Sequence, residues 1–170
     1  MTFTTEQFRL AGKVAIVTGA GGRGNSIGRA YAVGLANAGA SVVVADINEA
    51  GAKAVADEIN AAGGKAIGVR VDITDPASAR AMAAAATAAF GGVDILVNNA
   101  ALMAELGMLH VADVALEEWN RILEVNLTGA LICSQAVIPS MRARGGGRIV
   151  NQTSGGAFPA TSIYGIGKLA

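Results

Sequence analysis

A glycine-rich segment between a short apolar strand and a small-residue helix constrains this chain of 170 residues more than any other feature. Val14–Thr18 is a β-branched apolar run, glycines recur from Gly19 to Gly28, and a helix is predicted over residues 27–38. Glycines let a backbone turn sharply, and a helix N-terminus offers free N–H groups and a partial positive charge to an anion. The segment therefore predicts the first βαβ unit of a nucleotide-binding domain, with a flexible, ligand-free turn as the alternative.

Strand-like and helix-like segments continue to alternate along the rest of the chain. Further strands are predicted at Ser41–Asp46 and at residues 65–72, 93–97 and 148–152, with helices at residues 49–62, 75–90 and 116–144. The strands are continuous apolar runs, which is typical of a parallel sheet covered by helices on both faces. The sequence shows no repeat or linker, so it predicts one α/β domain over residues 1–170, with a Rossmann-type, doubly wound parallel sheet.

Composition and charge argue against several classes of partner and site. Thirteen basic residues balance 13 acidic ones, so there is no electrostatic case for nucleic acid or an acidic membrane surface. The apolar runs are short and broken by glycine or charge, so no transmembrane helix is predicted. Cys133 is the only cysteine, which excludes an intramolecular disulfide and fits a cytoplasmic location. His110 is the only histidine, and no ligand spacing predicts a metal site.

A carboxylate at the end of the second strand bears on the choice of cofactor. Asp46 could accept hydrogen bonds from both hydroxyls of an adenosine ribose and would repel a 2′-phosphate, which favours NAD over NADP. The alternative is that Asp46 caps the helix that starts near Asn48. Arg23 and Arg29 could instead reach a 2′-phosphate, or could both be solvated.

Two residues near the end of the chain have the spacing of an acid–base pair. Tyr164 and Lys168 are four residues apart, so on a helix they share one face. An ammonium about 4 Å from a phenolate stabilises it by roughly 4 kcal/mol at an effective dielectric constant of 20, which suits a tyrosine that exchanges protons. These residues also have purely structural explanations when each is taken singly. Tyr164 and Lys168 could be an ordinary surface pair. Among the other polar residues, Ser154 could cap a loop, and Asn126 could be a core amide with satisfied hydrogen bonds.

Several motifs in register resemble the short-chain dehydrogenase/reductase family. They are Asn98-Asn99-Ala100-Ala101 after the fourth strand, Asp72 after the third, and the Tyr164-x-x-x-Lys168 pair, together with Asn126 and Ser154. The resemblance implies that the catalytic residues are Asn126, Ser154, Tyr164 and Lys168. It also implies that a nicotinamide cofactor is bound by Gly19, Ser26, Ile27, Gly28, Asp46, Asp72, Ile73, Asn98, Ala100, Tyr164 and Lys168.

The resemblance further implies an oxidoreductase that transfers a hydride between NAD(H) and a secondary alcohol or ketone. Tyr164 would be the general acid/base, Ser154 would orient the substrate oxygen, and Lys168 would hold the nicotinamide ribose. Asn126 would bind a water that links Lys168 to solvent. The alternative is a non-catalytic nucleotide-sensing or scaffold protein, which has no need for all four residues.

The sequence departs from the family pattern in the glycine-rich loop and after the fifth strand. The loop is three residues longer, with Ser26 at the place of the middle glycine, so the sequence leaves open which of Gly21, Gly22 and Gly24 meets the phosphates. Ala101 replaces a glycine. The interval from Ser154 to Tyr164 is short for the family, which predicts a tight wall of the substrate pocket.

The chain ends at Ala170, two residues after Lys168, so relative to the family it looks truncated and lacks the C-terminal strands. The strand at residues 148–152 would then be an open edge that carries the apolar Ile149 and Val150. We expect residues 1–170 alone to be poorly soluble or unstable, and inactive. The complete protein is expected to be a homo-oligomer, a tetramer or a dimer, as in the family.

Overall fold

The computed structural model describes residues 5–22, 26–102, 110–158 and 162–170. Within them, five parallel strands form one sheet in the order β3-β2-β1-β4-β5. The strands are β1 (Val14–Thr18), β2 (Ser41–Asp46), β3 (Lys65–Arg70), β4 (Ile95–Asn98) and β5 (Arg148–Asn151). The chain winds outward from β1 in one direction and then from β4 in the other. The predicted doubly wound sheet is confirmed, with its switch point between β1 and β4.

Helices cover both faces of this sheet, as the apolar strands predict. Helices α1 (Ile27–Asn37) and α2 (Glu49–Ala61) pack on one face, and α3 (Pro76–Phe90) packs on the other. Side chains alternate between the two faces along a strand, so β2 contributes to the core on both sides of the sheet. Val42 and Val44 belong to one core cluster, and Val43 and Ala45 belong to the other.

Side-chain caps fix the starts of these helices. Ser26 Oγ accepts a hydrogen bond from the Arg29 N–H, and the Asp75 side chain caps α3, which has Pro76 in its first turn. Asn48, rather than Asp46, caps α2 by accepting from the Gly51 N–H. This leaves the Asp46 carboxylate for other contacts.

Strand limits differ from the predicted ones by one or two residues. Strand β3 ends at Arg70, two residues before the predicted limit, because the Asp72 carboxylate turns back to accept from Thr74. Strand β4 begins at Ile95 rather than at residue 93, and β5 ends at Asn151 rather than at residue 152.

The long helix predicted over residues 116–144 is not a uniform α-helix. It consists of α4 (Leu116–Leu123), a π-helical turn (Glu124–Thr128) and α5 (Gly129–Ala143). Asn126 lies in the π turn and bonds to the backbone of Leu102, 24 residues earlier. π turns inside helices occur often at functional sites, so the irregularity falls where the sequence predicts a site residue.

One helix in the described part of the chain meets the length and composition criteria for crossing a membrane. It is Leu116–Ala143, which is 28 residues long and contains an 18-residue window with a mean hydropathy of 1.4. The sequence predicts no transmembrane segment, and one helix of this length and composition is by itself weak evidence for a membrane span. The mostly buried core helices of soluble proteins meet the same criteria; here 22% of the window is buried, including Cys133 and Val137.

Candidate active site

A cleft of about 1260 Å³ opens at the carboxyl ends of the strands, beside the switch point between β1 and β4. Its lining includes most of the predicted site residues: Gly19, Ser26, Ile27, Gly28, Asp46, Asp72, Ile73, Ala100, Ser154, Tyr164 and Lys168. Asn98 and Asn126 are the predicted site residues that do not line it. The sequence analysis did not assign other lining residues to the site, among them Ile47, Asn99, Leu102, Gln152 and Phe158.

The start of α1 packs directly on the glycine-rich loop. A Cβ at Gly28 would lie 2.2 Å from the Gly19 carbonyl oxygen and 2.6 Å from Asn99 Nδ2. Gly19 itself has a φ of 67°, a conformation that favours glycine. Asn99 Nδ2 donates to the carbonyls of Thr18, at 2.9 Å, and Gly19, at 3.1 Å, and so ties the loop to the end of β4. This close packing brings the helix N-terminus to the cleft.

The structure distinguishes among the glycines that the sequence left open. The Gly21 N–H donates to Asp46 Oδ2 at 2.8 Å, and a Cβ at Gly21 would meet the Ala52 nitrogen at 2.4 Å. Gly21 therefore contacts α2 rather than the cleft. Gly22 lines the cleft, and Gly24 lies outside the described residues.

Asp46 faces the cleft, and one of its two potential basic competitors is engaged elsewhere. Asp46 Oδ1 accepts from the Asn48 N–H at 2.9 Å, so both carboxylate oxygens are held by backbone donors. Arg29 is paired with Glu58 of α2, with 2.8 Å between Arg29 Nε and Glu58 Oε2, and it does not line the cleft. Arg23, the other candidate for a 2′-phosphate, lies outside the described residues.

Asp72 presents a second carboxylate to the same side of the cleft. Hydrogen bonds from the Thr74 hydroxyl at 2.7 Å and the Thr74 N–H at 2.9 Å lower the pKa of Asp72, and the charge of Arg70 adds to this effect. Asp72 is therefore ionised at neutral pH and, like Asp46, is a fixed acceptor.

Another part of the lining comes from the segment that follows β5 and from α6 (Ile163–Leu169). Ser162 caps α6 by accepting from the Gly165 N–H. Tyr164 and Lys168 lie one turn apart on α6, and both line the cleft. Burial lowers the pKa of Lys168, whose ammonium donates to the Gln152 carbonyl at 3.0 Å. The helix is therefore oriented with both predicted catalytic side chains towards the cleft.

Ser154 lies in the segment that follows β5. Its Oγ accepts from the Gly156 N–H at 3.2 Å, and Ser154 lines the cleft together with Tyr164. A Cβ at Gly156 would lie 3.6 Å from Tyr164 Cε1, so this turn packs against the edge of the tyrosine ring. The short interval between Ser154 and Tyr164 therefore brings the turn and the ring into contact. The intervening residues 159–161 are outside the described part.

Asn98, a predicted cofactor-binding residue, does not line the cleft. It is buried below the cleft, where its Nδ2 donates to Asn151 Oδ1 at 2.9 Å, to Ser134 Oγ at 3.2 Å and to the Ala130 carbonyl at 3.3 Å. Asn98 therefore fastens β5 and α5 to β4. The next residue, Asn99, follows the end of the strand and lines the cleft instead.

Asn126 lies behind the cleft, against the backbone of α6. Its Oδ1 accepts from the Leu102 N–H at 2.8 Å, and its Nδ2 donates to the Leu102 carbonyl at 3.3 Å. A Cβ at Gly167, next to Lys168, would lie 3.1 Å from Asn126 Nδ2. The side chain thus holds the segment after the Asn-Asn motif close to α6.

These features suit a dinucleotide cofactor. The glycine backbone at Gly28 is packed so closely that a methyl group does not fit, the N-terminus of α1 faces the cleft, and Asp46 offers fixed acceptors. A helix N-terminus binds phosphate, and a carboxylate after the second strand binds ribose hydroxyls. Among the described residues, no group of three or more His, Cys, Asp or Glu side chains could hold a metal ion.

Comparisons with known proteins agree with this geometry. Residues 13–170 match the family model described as short chain dehydrogenase. An uncharacterized oxidoreductase of Mycobacterium tuberculosis is 53% identical over 157 residues, which are 92% of this chain and 62% of the relative. D-threitol dehydrogenase of Mycolicibacterium smegmatis is 40% identical over 153 residues, 90% of this chain and 56% of that enzyme.

Among solved structures, a 7α-hydroxysteroid dehydrogenase complexed with NADH and 7-oxo glycochenodeoxycholic acid matches with a TM-score of 0.88 and 39% identity, over 99% of this chain and 64% of that one. A short-chain type dehydrogenase/reductase from Mycobacterium marinum matches with a TM-score of 0.88 and 35% identity, over 99% of this chain and 68% of that one. The chain spans less than two thirds of the length of the curated relatives described above. The family resemblance of the sequence motifs is confirmed: the chain belongs to the short-chain dehydrogenase/reductase family.

Proposed function

We propose that this protein transfers a hydride between NAD(H) and a secondary alcohol or its ketone, with Tyr164 as the general acid/base. The observation that carries the proposal is that Ser154, Tyr164 and Lys168 line one cleft with Gly28 and Asp46. The names of the relatives support it, because D-threitol dehydrogenase and 7α-hydroxysteroid dehydrogenase are both named as dehydrogenases of hydroxyl compounds.

Three of the four predicted catalytic side chains line the cleft, and we assign a role to each of the three. The nicotinamide ring, when bound, supplies the hydride chemistry. Tyr164 takes the hydroxyl proton of the alcohol, or returns it to the ketone. Lys168 stabilises the phenolate by its charge and holds the nicotinamide ribose. The Ser154 hydroxyl accepts from the Gly156 N–H and donates its own hydrogen to the substrate oxygen.

We infer that the cofactor is NAD rather than NADP. Asp46 is held by backbone donors at the cleft, and Arg29 is paired with Glu58, so neither offers a partner for a 2′-phosphate. The kcat/KM for NAD should exceed that for NADP by more than tenfold, since an unpaired phosphate against a carboxylate costs more than about 1.4 kcal/mol. Equal kcat/KM for the two cofactors would count against this part of the proposal.

We also infer a cytoplasmic homo-oligomer, a tetramer or a dimer. Leu116, Leu127 and Leu131 are large apolar side chains exposed along the same long helix. A helix with such exposed side chains favours self-association. Light scattering of the full-length protein should give a mass of two or four chains, and a monomer would contradict the inference.

A non-catalytic nucleotide-binding protein is the competing function, and one substitution separates the two. Tyr164→Phe in the full-length protein should lower kcat more than about 1000-fold, because general acid–base catalysis is removed. The Kd for NADH should stay within about twofold, since the ring remains in place. A variant that keeps a tenth or more of kcat would exclude Tyr164 as the acid/base. Wild-type protein that binds NADH without oxidising any alcohol in a broad panel would favour the non-catalytic function.

A further inference from the structure

Lys168 is held at two points by the segment that follows β5. Its ammonium donates to the Gln152 carbonyl at 3.0 Å, and its own carbonyl accepts from Thr153 Oγ1 at 2.9 Å. The ammonium is half-buried, so it needs a fixed acceptor in place of water. The position of Gln152 therefore decides where the ammonium lies.

Gln152 is in turn fixed from three sides. Its N–H donates to the Asn98 carbonyl at 2.9 Å, which extends the ladder between β4 and β5, and its Nε2 donates to the Thr153 carbonyl at 2.6 Å. Its Oε1 accepts from the hydroxyl of Tyr31, a residue of α1 that is 121 positions away in the chain. This side-chain hydrogen bond crosses the switch point between β1 and β4.

We propose that Tyr31 and Gln152 are positioning residues that set the place of the Lys168 ammonium relative to Tyr164 and the nicotinamide ribose. The proposal deepens the proposed function and rests on it. The helix whose N-terminus faces the cofactor phosphates also carries the hydroxyl that aligns the catalytic lysine. Neither residue belongs to the motifs that identify the family in this sequence. A purely structural bond between α1 and β5 is the competing explanation.

A binding cycle tests whether Tyr31 acts through Lys168. The Kd for NADH is measured by calorimetry for full-length wild type, Tyr31→Phe, Lys168→Ala and the double variant. Tyr31→Phe removes one hydroxyl and leaves Gln152 Oε1 without its donor, so it should raise Kd about fivefold. Lys168→Ala should raise it about tenfold. If Tyr31 acts through Lys168, the double variant should bind as Lys168→Ala does.

Thr87→Val is the matched control. Thr87 also donates a hydroxyl hydrogen bond on a helix, to the Ala83 carbonyl at 3.0 Å, but it lies on α3 and does not line the cleft. It should leave the Kd for NADH unchanged. Gln152→Leu removes the other partner of the same bond, and because it also loses the Nε2 bond to Thr153 and lines the cleft, it should raise Kd at least as much as Tyr31→Phe. This second variant keeps the proposal testable if Tyr31→Phe folds poorly.

The pattern of outcomes separates this proposal from the function on which it rests. Wild type that fails to bind NADH overturns the proposed function itself. Wild type that binds NADH, with Tyr31→Phe unchanged in Kd, overturns only the positioning role. An equal fivefold loss from Tyr31→Phe in the wild-type and Lys168→Ala backgrounds would show that the hydroxyl acts by a route other than Lys168, and would also overturn it.

Discussion

The two halves of the molecule, on either side of the switch point, organise their parts of the cleft by different contacts. In the cofactor half, made by β1, β2, α1 and α2, backbone meets backbone: a Cβ at Gly28 would lie 2.2 Å from the Gly19 oxygen, and one at Gly51 would lie 1.9 Å from the Gly21 oxygen. In the catalytic half, made by β4, β5 and α6, side-chain amides and hydroxyls such as those of Asn98, Gln152 and Thr153 make the connections.

Burial differs between an inner strand and an edge strand of the described sheet. The central four residues of β2 are buried, whereas all four residues of β5, which pairs only with β4 among the described residues, are exposed. Where backbone packs on backbone there is no room for an added methyl group, so one substitution should cause a large loss of stability. Where single hydrogen bonds make the connections, one substitution removes one bond and should cause a smaller loss. Substitutions in each half test this contrast.

The largest effect is expected for Gly28→Ala. The added methyl would overlap the Gly19 oxygen, Asn99 Nδ2 and the backbone of Ala20, and backbone atoms cannot move aside cheaply. Unfolding free energy should fall by about 3 kcal/mol, the upper end for overpacking. NADH binding should also be lost, since the phosphate loop must shift. Urea denaturation and calorimetry measure the two effects.

Gly34→Ala is the matched control on the same helix. A Cβ at Gly34 meets nothing within 4 Å, so alanine should stabilise the helix by about 0.5–1 kcal/mol through its higher propensity. NADH binding should not change. If both variants lost equal stability, close packing of Gly28 would not be what fixes the cofactor half.

The next largest effect is expected for Asp94→Asn, at the joint between the two halves on the amino-terminal edge of the sheet. Asp94 is buried and accepts from the Val14 N–H at 2.8 Å, from Arg144 Nη2 at 2.9 Å and from Arg144 Nε at 3.1 Å. An amide carries no charge and turns an NH₂ towards one of these donors. The loss at pH 7 should be about 2–3 kcal/mol, as for hydrogen bonds to a charged group.

The effect of Asp94→Asn should depend on pH with a defined sign. Burial works to raise the pKa of Asp94, but the hydrogen bonds from Arg144 and Val14 and the charge of Lys13 outweigh it, so the pKa lies below its ordinary value. The folded state therefore favours the ionised form. Its stabilisation is present above the unfolded pKa of about 3.9 and is lost as pH falls through the folded pKa.

Wild type and Asp94→Asn should thus converge in stability as pH falls below that range. Asp57→Asn, which breaks an exposed pair with Lys53 on α2, should cost no more than about 0.5 kcal/mol at any pH. A stability difference between wild type and Asp94→Asn that stayed constant with pH would show that the charge of Asp94 contributes nothing.

The sequence predicts what depends on neighbours along the chain. Apolar runs and glycine stops locate the strands and helices to within one or two residues, and the spacing of Tyr164 and Lys168 predicts the face they share. The Asp75–Pro76 start of α3 is confirmed for the same reason, because a cap and a first-turn proline are local signals.

Features that depend on distant contacts could not be read from the sequence. The π turn at Asn126 accompanies bonds to Leu102, and the role of Gly21 depends on Asp46 across the loop. Asn98 and Asn99 have the same side chain but different places in the fold. Asn98 is the last residue of β4 and is buried, whereas Asn99 follows the strand and lines the cleft. Gln152 belongs to no sequence motif, and its partner Tyr31 lies on α1, 121 positions away.

The smallest effect on folding is expected for Val150→Lys. This substitution tests the edge of the catalytic half, where β5 has no partner strand on its outer side among the described residues. Within the described residues β5 pairs only with β4, and Val150 is 45% exposed, so this edge can pair with another chain. In a protein limited to residues 1–170, lysine should change stability by no more than about 0.5 kcal/mol. It should nevertheless raise the soluble fraction, because edge charges block strand pairing. Val111→Lys is the control, because Val111 is 40% exposed in a short 3-10 helix (Val111–Asp113), away from the strand edge and from the long helix, and it should leave solubility as it was. The reverse outcome, with Val111→Lys soluble and Val150→Lys aggregated, would show that the edge of β5 is not where the chains associate.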